Sequence, residues 1–181
     1  MKLDIMSIFI ILILVGIFFV SGQYFHYSPL YKKISRATAT IHPTEGNHTH
    51  GIVTFEEKSD GLHIHATITG LTPGNHGFHI HEYGDCNCAD ATCAGDHFNP
   101  THTHHGSETS CSSHIGDLGN LTADTQGVAS YKSINTHARL NGPHSIIGRA
   151  VIVHEKEDDL QSQPTGNAGA RVGCGVIGIA R

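Results

Sequence analysis

From about residue 34 onward the chain is written in short alternating runs of apolar and polar residues. In Leu62-His63-Ile64-His65-Ala66-Thr67-Ile68-Thr69 the positions Leu62, Ile64, Ala66 and Ile68 fall on one face, because successive side chains of a strand point to opposite sides. Gly77-Phe78-His79-Ile80-His81 turns Phe78 and Ile80 inward and His79 and His81 outward. Residues 51–55, 128–134, 146–153 and 172–179 are further strand candidates. Turn-forming runs separate them: Ser59-Asp60-Gly61, Thr72-Pro73-Gly74-Asn75 and Ala123-Asp124-Thr125-Gln126-Gly127. No stretch keeps a 3.6-residue period with helix caps. The pattern predicts an all-β sandwich or barrel of eight strands. Two long irregular stretches, 83–115 and 155–171, interrupt it, and loops of that length in a compact domain usually carry function.

The N-terminus is different. Residues 5–20 carry no charge and one hydroxyl. As a helix they would reach only about 24 Å, short of a hydrocarbon core of about 30 Å. This predicts a secretory signal peptide over residues 1–22, with Val20-Ser21-Gly22 as a small-residue cleavage site. The other reading is an uncleaved signal anchor, the one case in which the chain would meet a membrane. Residues 23–33 read as a linker and 34–181 as the domain, which is exported or lumenal in either case.

Charge narrows the function. The 11 cations are scattered along a chain of net charge −5, and no basic run could follow a phosphate backbone, which excludes a nucleic-acid binder. Only 15% of residues are charged and apolar runs recur, which excludes disorder. Export permits disulfides. The cysteines are Cys86, Cys88, Cys93, Cys111 and Cys174, an odd number that leaves at least one outside any intrachain pair. Asn47-His48-Thr49 and Asn120-Leu121-Thr122 fit the glycosylation sequon.

Histidine is the compositional outlier, with 17 in 181 residues. Neutral imidazole is the commonest protein ligand for transition metals. His79 and His81 stand at i and i+2 on one strand face, where both rings can meet one ion. His63 and His65 have the same spacing and read as an ordinary exposed face. The chain beyond His81 makes the difference: a loop rich in Gly, Cys and Asp carrying His97, His102, His104, His105 and His114, then Asp117. His154 closes an apolar strand beside the second long loop. Three His with one Asp suit a closed tetrahedral zinc site, and an all-imidazole set suits copper. No Met or Cys stands where a soft copper-transfer site would need one.

These residues carry a resemblance. The segments Gly77-Phe78-His79-Ile80-His81-Glu82, Ala94-Gly95-Asp96-His97-Phe98-Asn99-Pro100 and His114-Ile115-Gly116-Asp117-Leu118-Gly119-Asn120 resemble copper/zinc superoxide dismutases. So do Ile146-Ile147-Gly148-Arg149 through Val153-His154-Glu155-Lys156, and Gly166-Asn167-Ala168-Gly169-Ala170-Arg171 with Cys174-Gly175-Val176-Ile177-Gly178. The likeness runs in order over roughly residues 34–181. It implies an eight-stranded Greek-key, immunoglobulin-like sandwich or barrel. It implies copper on His79, His81, His97 and His154, and zinc on His97, His105, His114 and Asp117, with His97 shared. By the same resemblance Asp158 links His79 to His105, and Arg171 stands beside the open copper face. The substrate would be superoxide anion, with His97 taking and giving back a proton. His102, His104, His48 and His50 have no counterpart role and read as solvent-facing.

The resemblance also implies a disulfide between Cys174 and the loop after His81, where Cys86, Cys88 and Cys93 are available. Cys86 is favoured, which leaves Cys88 and Cys93 able to pair with each other and Cys111 unpaired. Closing a loop of about 90 residues would contribute about 4 kcal/mol in the chain-entropy model. The second long loop is shorter than in common eukaryotic members and keeps only Lys156 of its lysines. Ile147, Gly148 and residues 176–179 resemble an apolar dimer patch, so a homodimer is expected. Two other functions compete with catalysis: an inert homologue that buffers copper or zinc, and a histidine-rich zinc scavenger. The first would be expected to lack a copper ligand or Arg171, and the second would need neither Arg171 nor Asp158.

Overall fold

The computed structural model describes residues 33–110 and 112–181. The signal or anchor segment, nearly all of the linker and Cys111 lie outside the described residues. Residues Ile34–Arg181 form one compact unit. Its strands are β1 (Arg36–Pro43), β2 (His50–Lys58), β3 (Gly61–Thr69), β4 (Gly74–His81), β5 (Asp117–Ala123), β6 (Ala129–Asn135), β7 (Ala150–His154), β8 (Arg171–Val176) and β9 (Gly178–Ile179). A single 3-10 turn, Thr92–Ala94, is the only helical element among the described residues.

The strands follow one another around the sheet as β2-β3-β6-β5-β4-β7-β8-β1-β9, and β1 pairs back onto β2, which closes a barrel. Every named strand pair is antiparallel. Eight strands make the ring, as the alternation predicts, and β9 adds two residues that pair with Ala37 and Thr38. The order departs from a simple meander twice: β3 lies beside β6, and β4 beside β7. These two crossings are the Greek key.

β3 keeps the predicted alternation, with Leu62, Ile64, Ala66 and Ile68 buried. They meet Phe55, Phe78, Ile80, Leu118, Leu121, Val151 and Val153 in one core. Each fully buried Leu, Ile or Phe contributes about 1.5–3 kcal/mol. The reading of 146–153 as one strand needs correction, because β7 begins only at Ala150. All five of its residues are buried. Val151 and Val153 face the barrel core, while Ala150 and Ile152 pack under the loop after His81 with Ala91, Ala94 and Cys174. That loop therefore forms a second layer over β4 and β7. It also explains why His79 and His81 point out of the barrel yet are fully covered.

Candidate metal centre

β4 supplies His79 and His81, and the end of β7 supplies His154. Backbone hydrogen bonds lay the first loop across β4: Glu82 N–H to Asp96 O at 2.9 Å, Phe98 N–H to Ile80 O at 2.8 Å, and Ile80 N–H to Gly116 O at 2.8 Å. His97 is thereby bridged antiparallel to His81, and Asp117 starts β5 directly opposite His79. The ring centroids of His79 and His97 lie 4.0 Å apart, and those of His81 and His97 5.0 Å apart.

Two buried quartets result. His79, His81, His97 and His154 present ligand atoms within 4.8 Å of one another, as do His97, His105, His114 and Asp117. His97 belongs to both. Five buried ring nitrogens have no hydrogen-bond partner: His79 Nδ1, His81 Nε2, His97 Nε2, His114 Nδ1 and His154 Nε2. An orphaned buried polar atom costs about 1–3 kcal/mol; four of these lie in the first quartet and His114 Nδ1 in the second, an arrangement that fits cations. Four imidazoles suit copper, and three imidazoles with a carboxylate suit zinc.

The opposite nitrogens of His79, His81, His97 and His154 are engaged, which fixes the orientation of those rings. His81 Nδ1–H donates to Gly95 O at 2.9 Å, and His154 Nδ1–H to Gly169 O at 3.2 Å. The Asp158 carboxylate accepts from His79 Nε2 at 2.8 Å and from His105 Nε2 at 2.9 Å. Asp117 Oδ1 faces Nδ1 of His97, His105 and His114 at 2.9, 3.0 and 3.3 Å, and Oδ2 accepts the backbone N–H of Gly106 and His114.

The electrostatics divide the histidines. Burial holds His79, His81 and His154 below the ordinary imidazole range, so each offers a lone pair. Burial and the neighbouring His79 lower His97 to about 4. Burial works against the charged form of His105 as well, but the carboxylates of Asp117 and Asp158 outweigh it and raise that ring to about 9. Hydrogen bonds from the histidines hold Asp117 and Asp158 far below the usual carboxylate range despite burial.

A match to the copper/zinc superoxide dismutase family model spans residues 49–177. The chain belongs to that family. Cu-Zn superoxide dismutase A of Xenopus laevis is 50% identical over 136 residues, covering 71% of this chain and 89% of that protein. The extracellular Cu-Zn superoxide dismutase of Brugia pahangi is 42% identical over 157 residues, covering 82% of this chain and 78% of that protein. The crystal structure of the clock protein EA4 superimposes with a TM-score of 0.77 at 42% identity, covering 83% of this chain and 98% of that one. The family's reaction, dismutation of superoxide with copper and zinc as cofactors, is this superoxide dismutase's function.

Arg171, the first residue of β8, is half-buried in this family member. It donates from Nη1 to Ala91 O and from Nη2 to Gly95 O, both at 2.7 Å. Beside it opens a recess of about 580 Å³ lined by residues that include Glu45, Asp90, Gly169 and Ala170. Cys86 is bonded to Cys174 and Cys88 to Cys93. His63 lies against Asp60 and His65 is exposed, as expected of a polar strand face. His102 and His104 line a recess with Glu82 and Asp96 and join neither quartet. His76 belongs to neither quartet but is buried, with Nδ1 at 2.8 Å from His154 O and Nε2 at 2.8 Å from Thr72 O.

Several residues that hold the site carried no signal of their own. Gln163 clamps the backbone of His105 from both sides, at 2.8 and 2.9 Å. Asn120 does the same for Asp158, so the side chain of this sequon is already engaged. Glu108, on the loop between His105 and His114, accepts from Tyr131 Oη at 2.9 Å and Ser133 Oγ at 3.1 Å. Burial and that carboxylate push the Tyr131 phenol well above its ordinary range. Alternation marks residues 128–134 as a strand but cannot say that Tyr131 and Ser133 tie down the loop between His105 and His114.

Proposed function

We propose that copper is held by His79 Nδ1, His81 Nε2, His97 Nε2 and His154 Nε2, and zinc by His97 Nδ1, His105 Nδ1, His114 Nδ1 and Asp117. The observation that carries this assignment is the set of orphaned ring nitrogens in two quartets sharing one histidine. When bound, copper supplies one-electron exchange and zinc a fixed positive charge.

The chain's own residues do the rest. Two of the five N–H donors of Arg171 are spent on Ala91 and Gly95, which sets the guanidinium plane and leaves the others for an anion. Steering toward the recess rests on Arg171 and on Lys156 at short range, because the chain's net charge of −5 repels superoxide at long range. Two superoxide anions and two protons give one dioxygen and one hydrogen peroxide. With its Nε2 free of copper, His97 would hold one of those protons there and give it up to the departing peroxide. Its Nδ1 stays on the Asp117 side throughout, so the ring returns to the same place.

We also propose that the protein is a homodimer. Tyr83, Val176 and Ile179 are exposed at 60%, 44% and 64%. Gly84 abuts Gly148 and Val176, which makes part of this surface continuous. Ile177 is core and does not belong to the patch. Residues 1–22 act as a signal or anchor and residues 34–181 are exported. The extracellular relative and the two disulfides support that reading. Among the described residues no helix is long and apolar enough to cross a membrane.

Purified, metal-loaded protein in a superoxide-consumption assay tests the assignment. Activity at one copper and one zinc per chain, lost in His97→Ala, is the expected result. Full activity in His97→Ala contradicts it. Sedimentation of wild type against Val176→Glu tests the dimer, and an intact mass of exported protein tests cleavage after Gly22.

A further inference from the structure

The loop after His81 carries a second bridge, Cys88–Cys93, that the two-metal site does not require. The six-residue turn it closes surrounds Ala91, which is fully buried and held at φ 58° and ψ 18°. That left-handed conformation is unfavourable for a residue with a Cβ and persists only where neighbouring contacts impose it. The contacts are visible. Ala91 N–H donates to Cys88 O at 2.9 Å. Asp90 Oδ1 accepts from Thr92 N–H at 3.0 Å and Thr92 Oγ1 at 2.7 Å. Ala94 and Gly95 close the turn onto Ala91 O and Thr92 O at 3.2 and 3.1 Å. Both carbonyls that orient the Arg171 fork come from this segment: Ala91 O inside the bridged ring, and Gly95 O two residues beyond Cys93. Gly95 O also accepts from His81 Nδ1. Cys86–Cys174 ties the start of the loop to β8 but leaves the conformation of Ala91 to the shorter ring.

We infer that the Cys88–Cys93 bridge is a positioning element for Arg171, fixing the Ala91 carbonyl that, together with Gly95 O, aims the guanidinium at the incoming anion. This rests on the reading of Arg171 as the residue that receives superoxide. Opening the bridge leaves both metal quartets in place, because neither draws a ligand from residues 88–93. It lets the Ala91 peptide leave its left-handed state, and the arginine loses one of its two anchors. Misplacing a substrate-orienting group by about 1 Å costs up to 100-fold. Loss of one anchor of two is therefore expected to lower kcat/KM by several-fold, within the loss produced by removing the arginine.

The test compares wild type, C88S/C93S, R171A and the triple variant, all loaded with copper and zinc. Metal content and an intact mass showing Cys86–Cys174 closed are checked first. The readouts are kcat/KM, inhibition by azide, and the slope of rate against ionic strength. The expected result is weaker azide inhibition and a flatter slope in C88S/C93S at unchanged metal content, with no further loss when the serines are added to R171A. Wild-type azide inhibition and slope in C88S/C93S overturn the inference, and so does a loss that adds in full to that of R171A. If R171A itself changes neither readout, the reading of Arg171 fails and takes the inference with it. Should C88S/C93S not fold, wild type selectively reduced and alkylated at Cys88 and Cys93, verified by peptide mapping, gives the same readouts.

Discussion

Replacing Asp158 by Asn is the sharpest perturbation of the site that leaves every ligand in place. The carboxylate is buried and accepts three hydrogen bonds, from His79 Nε2 at 2.8 Å, His105 Nε2 at 2.9 Å and Leu160 N–H at 2.7 Å. With Nδ1 of both rings given to metal as proposed, both Nε2 atoms must carry hydrogen. An asparagine offers one acceptor oxygen and turns an N–H donor toward the remaining ring. One charge-assisted hydrogen bond is lost, worth about 1.5–3 kcal/mol, and a buried donor is left facing a donor. At about 1.4 kcal/mol per factor of ten, this corresponds to roughly 10–100-fold in affinity. The usual cost of losing the partner of a metal-bound histidine has the same size. The two rings do not share it equally. His79 sits on β4 with strands paired on both sides. His105 sits on a loop, anchored only by Gln163 and the two carboxylates. Asp158→Asn is therefore expected to weaken zinc by about 10–100-fold and copper by less. Competition against a chromophoric chelator measures both. Zinc affinity within about twofold of wild type would refute the reasoning.

Three further outcomes rest on the same contacts. His105 is raised from 6.5 to about 9 in the metal-free protein, so its ion pairs stabilise the fold fully below pH 6.5 and are lost as pH rises through about 9; zinc loading near pH 7.5 should release about one proton from this ring, and above pH 10 almost none, which a pH-stat titration checks. Glu108→Ala frees the zinc loop from Tyr131 and Ser133, two hydrogen bonds worth about 1–3 kcal/mol together, and should speed zinc loss to a chelator several-fold; an unchanged rate means the tether does not hold the loop. Gly166→Ala drives a Cβ into the Asp158 carboxylate and to 2.7 Å from His105 Nε2 at a φ of +68°, so zinc retention and the melting temperature of the loaded protein should fall together, and retention of both would remove the case for close packing there.

The parts of this molecule differ in how openly the sequence shows them. β3 is legible because large apolar residues alternate with polar ones over nine positions. β1 alternates too, but Ala37 and Ala39 against threonines give too little contrast to predict a strand. β5 is hidden because Gly119, at φ +75°, breaks the period and leaves Leu118 and Leu121 three apart. β7 loses its alternation because the Cys-rich loop buries its outer face. The two buried quartets are readable because each of their histidines stands in a run whose neighbours are also constrained. Gln163, Asn120, Glu108 and Tyr131 are not, because they reach the site across 58, 38 and 23 residues of chain, and nothing in their own neighbourhoods marks the far partner.

The central claim is that one histidine is shared between two different metals. Diffraction data from crystals of the loaded protein, collected on either side of the copper and zinc absorption edges, test it most directly. The account predicts copper among His79, His81, His97 and His154, zinc among His97, His105, His114 and Asp117, and the His97 ring between them. Both metals scattering at both positions, or one position without an ion, would contradict it.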